Sequence, residues 1–427
     1  MMSQFDFFSR WRRRPFPWLA LCLIGASAMA SPLMASPGDG IRLGGGNVSP
    51  SIGLELGFDT NPLRRNVDYV GTGFLDVRPA LDLNYRASEF RARLSYNHLA
   101  RFFLSEGFRP LSFGDDLALN GQVVLFPSRK IGFTFRDSFS SRNYLRRDEL
   151  EAAADLGLLD RQYNLAEFET RYSPGSALDL FLALRYYFDL QDITAGDDPS
   201  PLKNDFGIGG RGRWKFFPRT SLIVETKYRY GRWSNLSNCT ESTGCTSDLA
   251  KSPTVAQFTA LAGLGGQFTD TLEANVFLGY GGLNNLESAE AENISGLAGL
   301  LGQTQVIFRP AMSHSLSASY LRSFIDAALL DYSLSNTFLL SYSGRYASRL
   351  GVDVNMGIDF RTLDSAEIDE AASREERALS GSLRLEYAFF NWLTASGSFQ
   401  VSNVDAFESQ TYSYGRSVFY VGVRGVY

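Results

Sequence analysis

The feature that most constrains this chain is an apolar/polar alternation that starts near residue 52 and hardly stops. Leu75, Val77, Pro79, Leu81, Leu83 and Tyr85 occupy every second position, and Asp76, Arg78, Asp82, Asn84 and Arg86 lie between them. Phe90, Ala92, Leu94 and Tyr96 alternate in the same way with Arg91 and Arg93, and Leu178 to Phe188 with Asp179 and Arg185. Leu222 to Tyr230 alternate with Glu225, Lys227 and Arg229, Leu350 to Phe360 with Asp353, Asp359 and Arg361, and Leu379 to Phe389 with Arg384 and Glu386. Glu167 and Glu169 show the same spacing. A period of two places each set on one face of a strand, so the segments read as half-buried antiparallel β-strands and not as helices.

Alternation alone fits a soluble sandwich, with its apolar face inward, and a membrane barrel, with that face toward lipid. Three features separate them. The alternating segments run about 10 to 14 residues, long for a soluble sheet and right for a tilted membrane strand. Tyr and Phe cluster at the ends of the apolar face, as at a bilayer interface. Short turns alternate with long connections, as in a barrel with one end in the periplasm. The short turns lie near 87–88, 127–129, 174–175, 218–220, 269–270, 310–313, 347–348 and 391–392, and an aromatic precedes most of them. Their spacing of roughly 36 to 51 residues is one up-strand, one long loop and one down-strand, giving about nine hairpins and about 18 strands.

The predicted fold is all-β: a transmembrane antiparallel up-and-down β-barrel over residues 51–427, located in the outer membrane and surrounded by its lipid. The polar face then lines the lumen with Asp76, Arg78, Asp82, Arg91, Arg93, Glu167, Glu169, Asp179, Arg185, Glu225, Lys227, Arg229, Asp353, Asp359, Arg361, Arg384 and Glu386. The long connections fall near 59–73, 105–115, 141–161, 191–204, 234–253, 284–295, 325–332, 363–377 and 405–413. Helices are predicted within two of them, at 147–159 and 366–377.

Ahead of the barrel, Arg10 and Arg12 to Arg14, an apolar stretch from Trp18 to Ala26, and Ala28-Met29-Ala30 make residues 1–30 a cleavable secretory signal. Residues 31–50 are rich in Gly, Pro and Ser and read as a flexible periplasmic leader that can enter the lumen from below. After the signal two cysteines are left, Cys239 and Cys245, around a short polar loop. In an oxidising compartment they are expected to form a surface disulfide rather than a metal pair. No apolar run after the signal reaches the roughly 18 residues of a membrane helix.

The chemistry-bearing residues are sparse. A formal charge of −5 excludes a basic nucleic-acid surface. Of the two histidines, His98 is expected near the outer end of a strand and His314 at a periplasmic turn. No metal cluster, nucleotide loop or nucleophile elbow is present. Glu167 and Glu169 are the one place where paired carboxylates could serve a hydrolase, but arginines and lysines on the same face favour a mixed-sign ladder. The expectation is a non-enzyme with no cofactor and no metal, and with weak ion selectivity, because selectivity needs rings of one sign.

The last strand ends on Tyr420, Gly422, Gly425 and Tyr427. It resembles the C-terminal strand that the barrel assembly machinery reads as a signal, although Gly425 stands where that pattern prefers a bulkier residue. The opening stretch carries Gly53 to Pro62, with its Phe58-Asp59-Thr60-Asn61 turn, then a Pro-led strand over 78–86 and a Tyr-rich strand over 96–102. Over residues 51–104 it resembles the β-barrel porin 2 family. That resemblance implies an outer-membrane channel for exopolysaccharide secretion, with polysaccharide as the transported substrate and a periplasmic polysaccharide export protein as partner. The competing expectation is a general diffusion porin or a structural barrel.

Overall fold

The computed structural model describes residues 38, 40–62, 71–104, 116–143, 159–193, 202–234, 254–285, 297–326, 332–347, 349–364, 373–406 and 413–427. The signal at 1–30, the Cys239/Cys245 pair and all but the last residue of the helix predicted over 147–159 lie outside the described residues; Leu159 begins a strand.

Every regular element among the described residues is a strand. In chain order they are β1 (Ile41–Leu43), β2 (Gly46–Asp59), β3 (Thr72–Arg86), β4 (Phe90–His98), β5 (Ala100–Phe103), β6 (Asp116–Leu125), β7 (Ile131–Asn143), β8 (Leu159–Tyr172), β9 (Leu178–Ile193) and β10 (Leu202–Phe217). They continue as β11 (Thr220–Ser234), β12 (Thr254–Gln267), β13 (Leu272–Asn285), β14 (Leu297–Ala311), β15 (His314–Asp326), β16 (Tyr332–Tyr346), β17 (Leu350–Asp364), β18 (Ser373–Phe390), β19 (Leu393–Ala406) and β20 (Tyr414–Val426). Successive wall strands pair antiparallel, with β4 and β5 together between β3 and β6, and β2 pairs with β20 to close the ring. β4 and β5 are two halves of one wall strand, interrupted at Leu99, and β1 is a short flap on β2. Eighteen strands therefore make the closed wall among the described residues, as the turn spacing predicts.

The alternation sets which face points where. Glu169 on β8 reaches Arg211 on β10 at 3.8 Å, passing over β9. Side chains meet across an intervening strand only on the concave side of a curved sheet, so the charged face is the interior. The opposite face carries Leu222, Val224, Tyr228 and Tyr230 on β11 and Phe419, Val421 and Val423 on β20, all exposed. An apolar exterior around a polar interior is the pattern of a transmembrane barrel of the outer-membrane type, with lipid as the outer solvent. Aromatics ring the short-turn end: Tyr172, Phe217, Phe268, Phe308, Tyr346 and Phe390 precede their turns, and the Phe390 and Trp392 rings stack at 5.5 Å. Beside them, across the β3–β4 and β6–β7 turns, Arg129 grips both carboxylate oxygens of Glu89, which raises the guanidinium pKa.

Three expectations need correction. The leader does not stay free to residue 50. Gly44, at φ +58°, turns the chain so that Ile41–Leu43 pair with Gly46–Val48, and β2 then runs on through Asp59. Such a turn needs the left-handed region that glycine enters at little cost. The flap lies against the part of β2 that β20 leaves bare, since β20 ends at the Tyr427 N–H···O=C Pro50 bond of 3.0 Å. Second, residues 373–377 are strand, not helix: β18 pairs with β17 out to Asp364↔Ser373, and ladder pairing overrides local helix preference. Third, the strands are longer than the alternation suggested, reaching 16 residues in β9 and 18 in β18, because polar residues beyond the membrane band extend the ladders.

The terminal strand supports a first prediction. Tyr427 is half-exposed on the outer face, and its amide makes the last bond of the closing pair. Deleting Tyr427 is expected to lower the fraction of chain recovered as heat-modifiable barrel in membranes several-fold, with more periplasmic degradation. Unchanged recovery would show that the terminal aromatic is not part of an assembly signal.

Candidate functional site: the lumen wall

The barrel leaves one candidate site, its inner wall. Ladder register places all seventeen predicted lumen residues on the concave face. Glu55↔Asp76, Gly53↔Arg78, Asp82↔Ser95, Asn84↔Arg93 and Arg86↔Arg91 are direct cross-strand partners around β3, and Asp353↔Arg384 and Gly351↔Glu386 are partners on β17–β18. Glu167↔Arg185 and Arg211↔Glu225 carry the same face through β8 to β11.

The structure then shows how these charges are disposed. From β7 to β11 they form a row of local ion-pair groups. Glu167 takes Arg136 on one oxygen and Arg185 on the other, and Glu169 lies 3.7 Å from Arg136. Arg211 also covers the Phe181 ring at 4.3 Å. Asp179 accepts from Ser173 Oγ at 2.6 Å and lies 3.4 Å from Lys215, and Lys227 pairs with Glu225. Asp205, nearly fully buried, lies 3.5 Å from Lys203 and 3.6 Å from Arg229. A second cluster occupies β2 to β5. The buried Asp76 accepts two bonds from Arg101 at 2.7 and 2.8 Å and one from Arg78 at 3.0 Å, and Arg78 also pairs with Glu55 at 2.9 Å. Arg101 stacks over Phe74 at 3.9 Å, so its charge is held between a carboxylate and a ring face. On β16 to β18, Asp359 accepts from Arg361 at 2.6 Å and from Ser335 and Thr337, and Arg384 pairs with Glu386.

The remaining arc is different in kind. Along the inner faces of β12 to β16, ionisable side chains among the described residues are confined to the turn end, at Glu273, Arg309 and Arg345. Above them the wall is mostly Ser, Thr, Gln, Asn and Gly, interrupted by Val255, Phe277, Ile307, Ile325 and several Leu. Ser315, Ser317 and Ser319 on β15 face Ser343, Ser341 and Leu339 on β16. The lumen thus has a mixed-sign charged arc, in which many charges pair with one another, facing an arc rich in hydroxyls and amides. Neither presents a ring of one sign, which is what strong ion selection needs.

Sequence reasoning missed several members of this wall. Lys203, Arg211 and Lys215 are on β10, whose outer face is broken by Gly210 and Gly212, and Arg136 is on β7, whose outer face is broken by Asp137, so alternation was weak there. Asp59 was assigned to a connection but ends β2, where Arg416 Nε binds both of its carboxylate oxygens at 3.0 Å. His314 sits as expected at a short turn, its Nδ1 2.9 Å from the Tyr342 hydroxyl, whereas His98 is buried at the β4–β5 junction, within a wall strand that runs on to Phe103 and not at its outer end.

No family model and no curated protein matches the sequence. Among solved structures, the chain is similar to the FrpB iron transporter from Neisseria meningitidis (F3-3 variant), with 12% identity, a TM-score of 0.45, and coverage of 84% of this chain and 62% of that one. It is also similar to the siderophore receptor PirA from Acinetobacter baumannii, with 8% identity, a TM-score of 0.47, and coverage of 89% and 80%. The chain thus spans less than two thirds of the FrpB structure's length. Scores this low carry no inference about activity, and the architecture rests on the chain's own strand register.

Proposed function

We propose that this barrel is a non-catalytic outer-membrane conduit for export of a polysaccharide, reached after cleavage of a signal at 1–30 and working with a periplasmic polysaccharide export protein. The observation that carries this reading is the pairing of the two arcs. A sugar chain sliding through a pore needs many weak, exchangeable hydrogen bonds and no fixed charge that grips it. The Ser, Thr and Gln arc of β12 to β16 supplies such bonds, and on the opposite arc many charges, such as Glu167 with Arg136 and Arg185, are engaged with one another. The resemblance of residues 51–104 to the β-barrel porin 2 family points the same way. A general diffusion pore is the competing class.

Deletion of the gene in its host separates the two. Export predicts loss of surface polysaccharide with uptake of small hydrophilic solutes unchanged. Normal polysaccharide with reduced uptake would overturn the export reading and leave the diffusion pore.

A further inference from the structure

One seam of the wall is unzipped. The β14–β15 hairpin pairs from Ala311↔His314 up to Gly302↔Arg322 and stops there. In the same register Leu301 would face Ser323 and Gly299 would face Ile325, but these rungs are not made. Both segments are held as strand only from outside, by β13 through Leu283↔Leu297 to Gly279↔Leu301, and by β16 through Ser323↔Ser335 to Asp326↔Tyr332. The hairpins on either side stay paired to their ends, at Val255↔Asn285 and Tyr332↔Asp364. Four missing rungs leave about 13 Å of wall without a ladder.

Side chains fill the gap in place of backbone bonds. Arg322 Nε donates to the Leu300 carbonyl at 3.0 Å and Nη1 to Asn336 Oδ1 at 3.1 Å, so a guanidinium stands at the foot of the opening. Above it Phe324 and Leu301 both rest on Gly281: a methyl there would lie 3.1 Å from Phe324 Cε2 and 2.6 Å from Leu301 Cδ1. Leu283 and Leu301 are buried, while Leu300, on the outer face of the same edge, is 73% exposed. Outside is apolar surface, within the gap is an apolar throat, and behind it is the uncharged arc, with Gln257, Thr259 and Ser335 on the inner faces nearby.

The height of the opening matters. Leu300 is the direct partner of Tyr280, and Arg322 sits beside the Tyr320 hydroxyl through their shared partner Asn336. Tyr hydroxyls and a guanidinium on the lipid face mark headgroup level. Deep in hydrocarbon, bare ladder groups cost several kcal/mol each, whereas at headgroup level polar groups can satisfy them. We propose that the β14–β15 seam is a lateral port that binds an anionic single-chain amphiphile from the outer leaflet. Its acyl chain lies along Leu300 and enters between Leu301 and Phe324, and its carboxylate or phosphate pairs with Arg322. The port is independent of what the axial lumen carries.

The test uses the full-length barrel in nanodiscs of zwitterionic lipid with 16-doxyl-stearate as probe. A Leu301→Cys/Ser323→Cys pair is built on a Cys239→Ser/Cys245→Ser background, with folding checked by heat-modifiable mobility. The port predicts a motionally restricted probe population in the wild type and the reduced variant that falls several-fold once the cross-link closes the seam. Arg322→Gln is expected to weaken stearate binding about tenfold, the worth of one charge-assisted hydrogen bond, while sparing its methyl ester. Equal restricted populations in oxidised and reduced forms mean ordinary boundary lipid and overturn the proposal. Amide exchange on the wild type needs no substitution: stearate should slow residues 298–301 and 323–326 and leave the β12–β13 hairpin unchanged. No selective slowing also overturns it.

Discussion

Replacing Asp59 with Ala is expected to lower the thermal midpoint of the barrel more than any other single change in its wall. The carboxylate is fully buried and accepts both Nε contacts from Arg416 at 3.0 Å and the Asn61 amide at 3.0 Å. Asn61 in turn donates to the Gly415 carbonyl, and Thr60 exchanges bonds with Ser417 through its amide and its hydroxyl. These contacts clamp the upper end of the β2–β20 pair, the one ladder not made by a sequence-adjacent hairpin. Removing Asp59 strands the Arg416 guanidinium, only 21% exposed, beside an empty site. Breaking a buried pair from one side costs about 3–5 kcal/mol. The Arg416→Met/Asp59→Leu double substitution should cost less than Asp59→Ala alone, because it leaves no orphan charge. The readout is the temperature at which the compact band converts to the slow one on a gel. Equal midpoints for wild type and Asp59→Ala would show that the clamp is not needed for closure.

The largest effect on permeation is expected from Glu167→Arg. Glu167 and Glu169 sit among Arg136, Arg185 and Arg211, so three arginines face two glutamates in this part of the wall. The substitution leaves four against one and removes the acceptor that holds Arg136 and Arg185. In planar bilayers under a salt gradient, the reversal potential should move strongly toward anion selectivity, with Glu167→Gln giving a smaller shift of the same sign. The shift should shrink at high ionic strength, since at 1 M salt the Debye length is about 3 Å. No change in either variant would place this network away from the conducting path.

Much of this was legible because period-two patterning needs no tertiary information. Leu75 to Tyr85 against Asp76 to Arg86 declares both strand and face, and the short turns count the hairpins. What stayed hidden depends on neighbours. The strand state of residues 373–377 comes from β17, not from local preference. The flap at Ile41–Leu43 exists because β2 outlasts β20. Asp59 and Arg416 are 357 residues apart and no local pattern links them. The charge pattern marked Glu167 as a lumen residue but not as the bridge between two arginines, and the unzipped seam at β14–β15 depends on which rungs form between two strands, which neither strand's own residues state.

That the ring is closed by its first and last wall strands has a consequence for how it is made. At about 5–20 residues per second, β2 leaves the ribosome roughly 20–70 s before β20. Joining ends that far apart costs about 5 kcal/mol of chain entropy before the first rung forms. Until β20 docks, the closing edge of β2 has only β1 to cover it, along Gly46–Val48. Closure is therefore one late, long-range zipping event, possible only once both ends of the chain have reached the membrane.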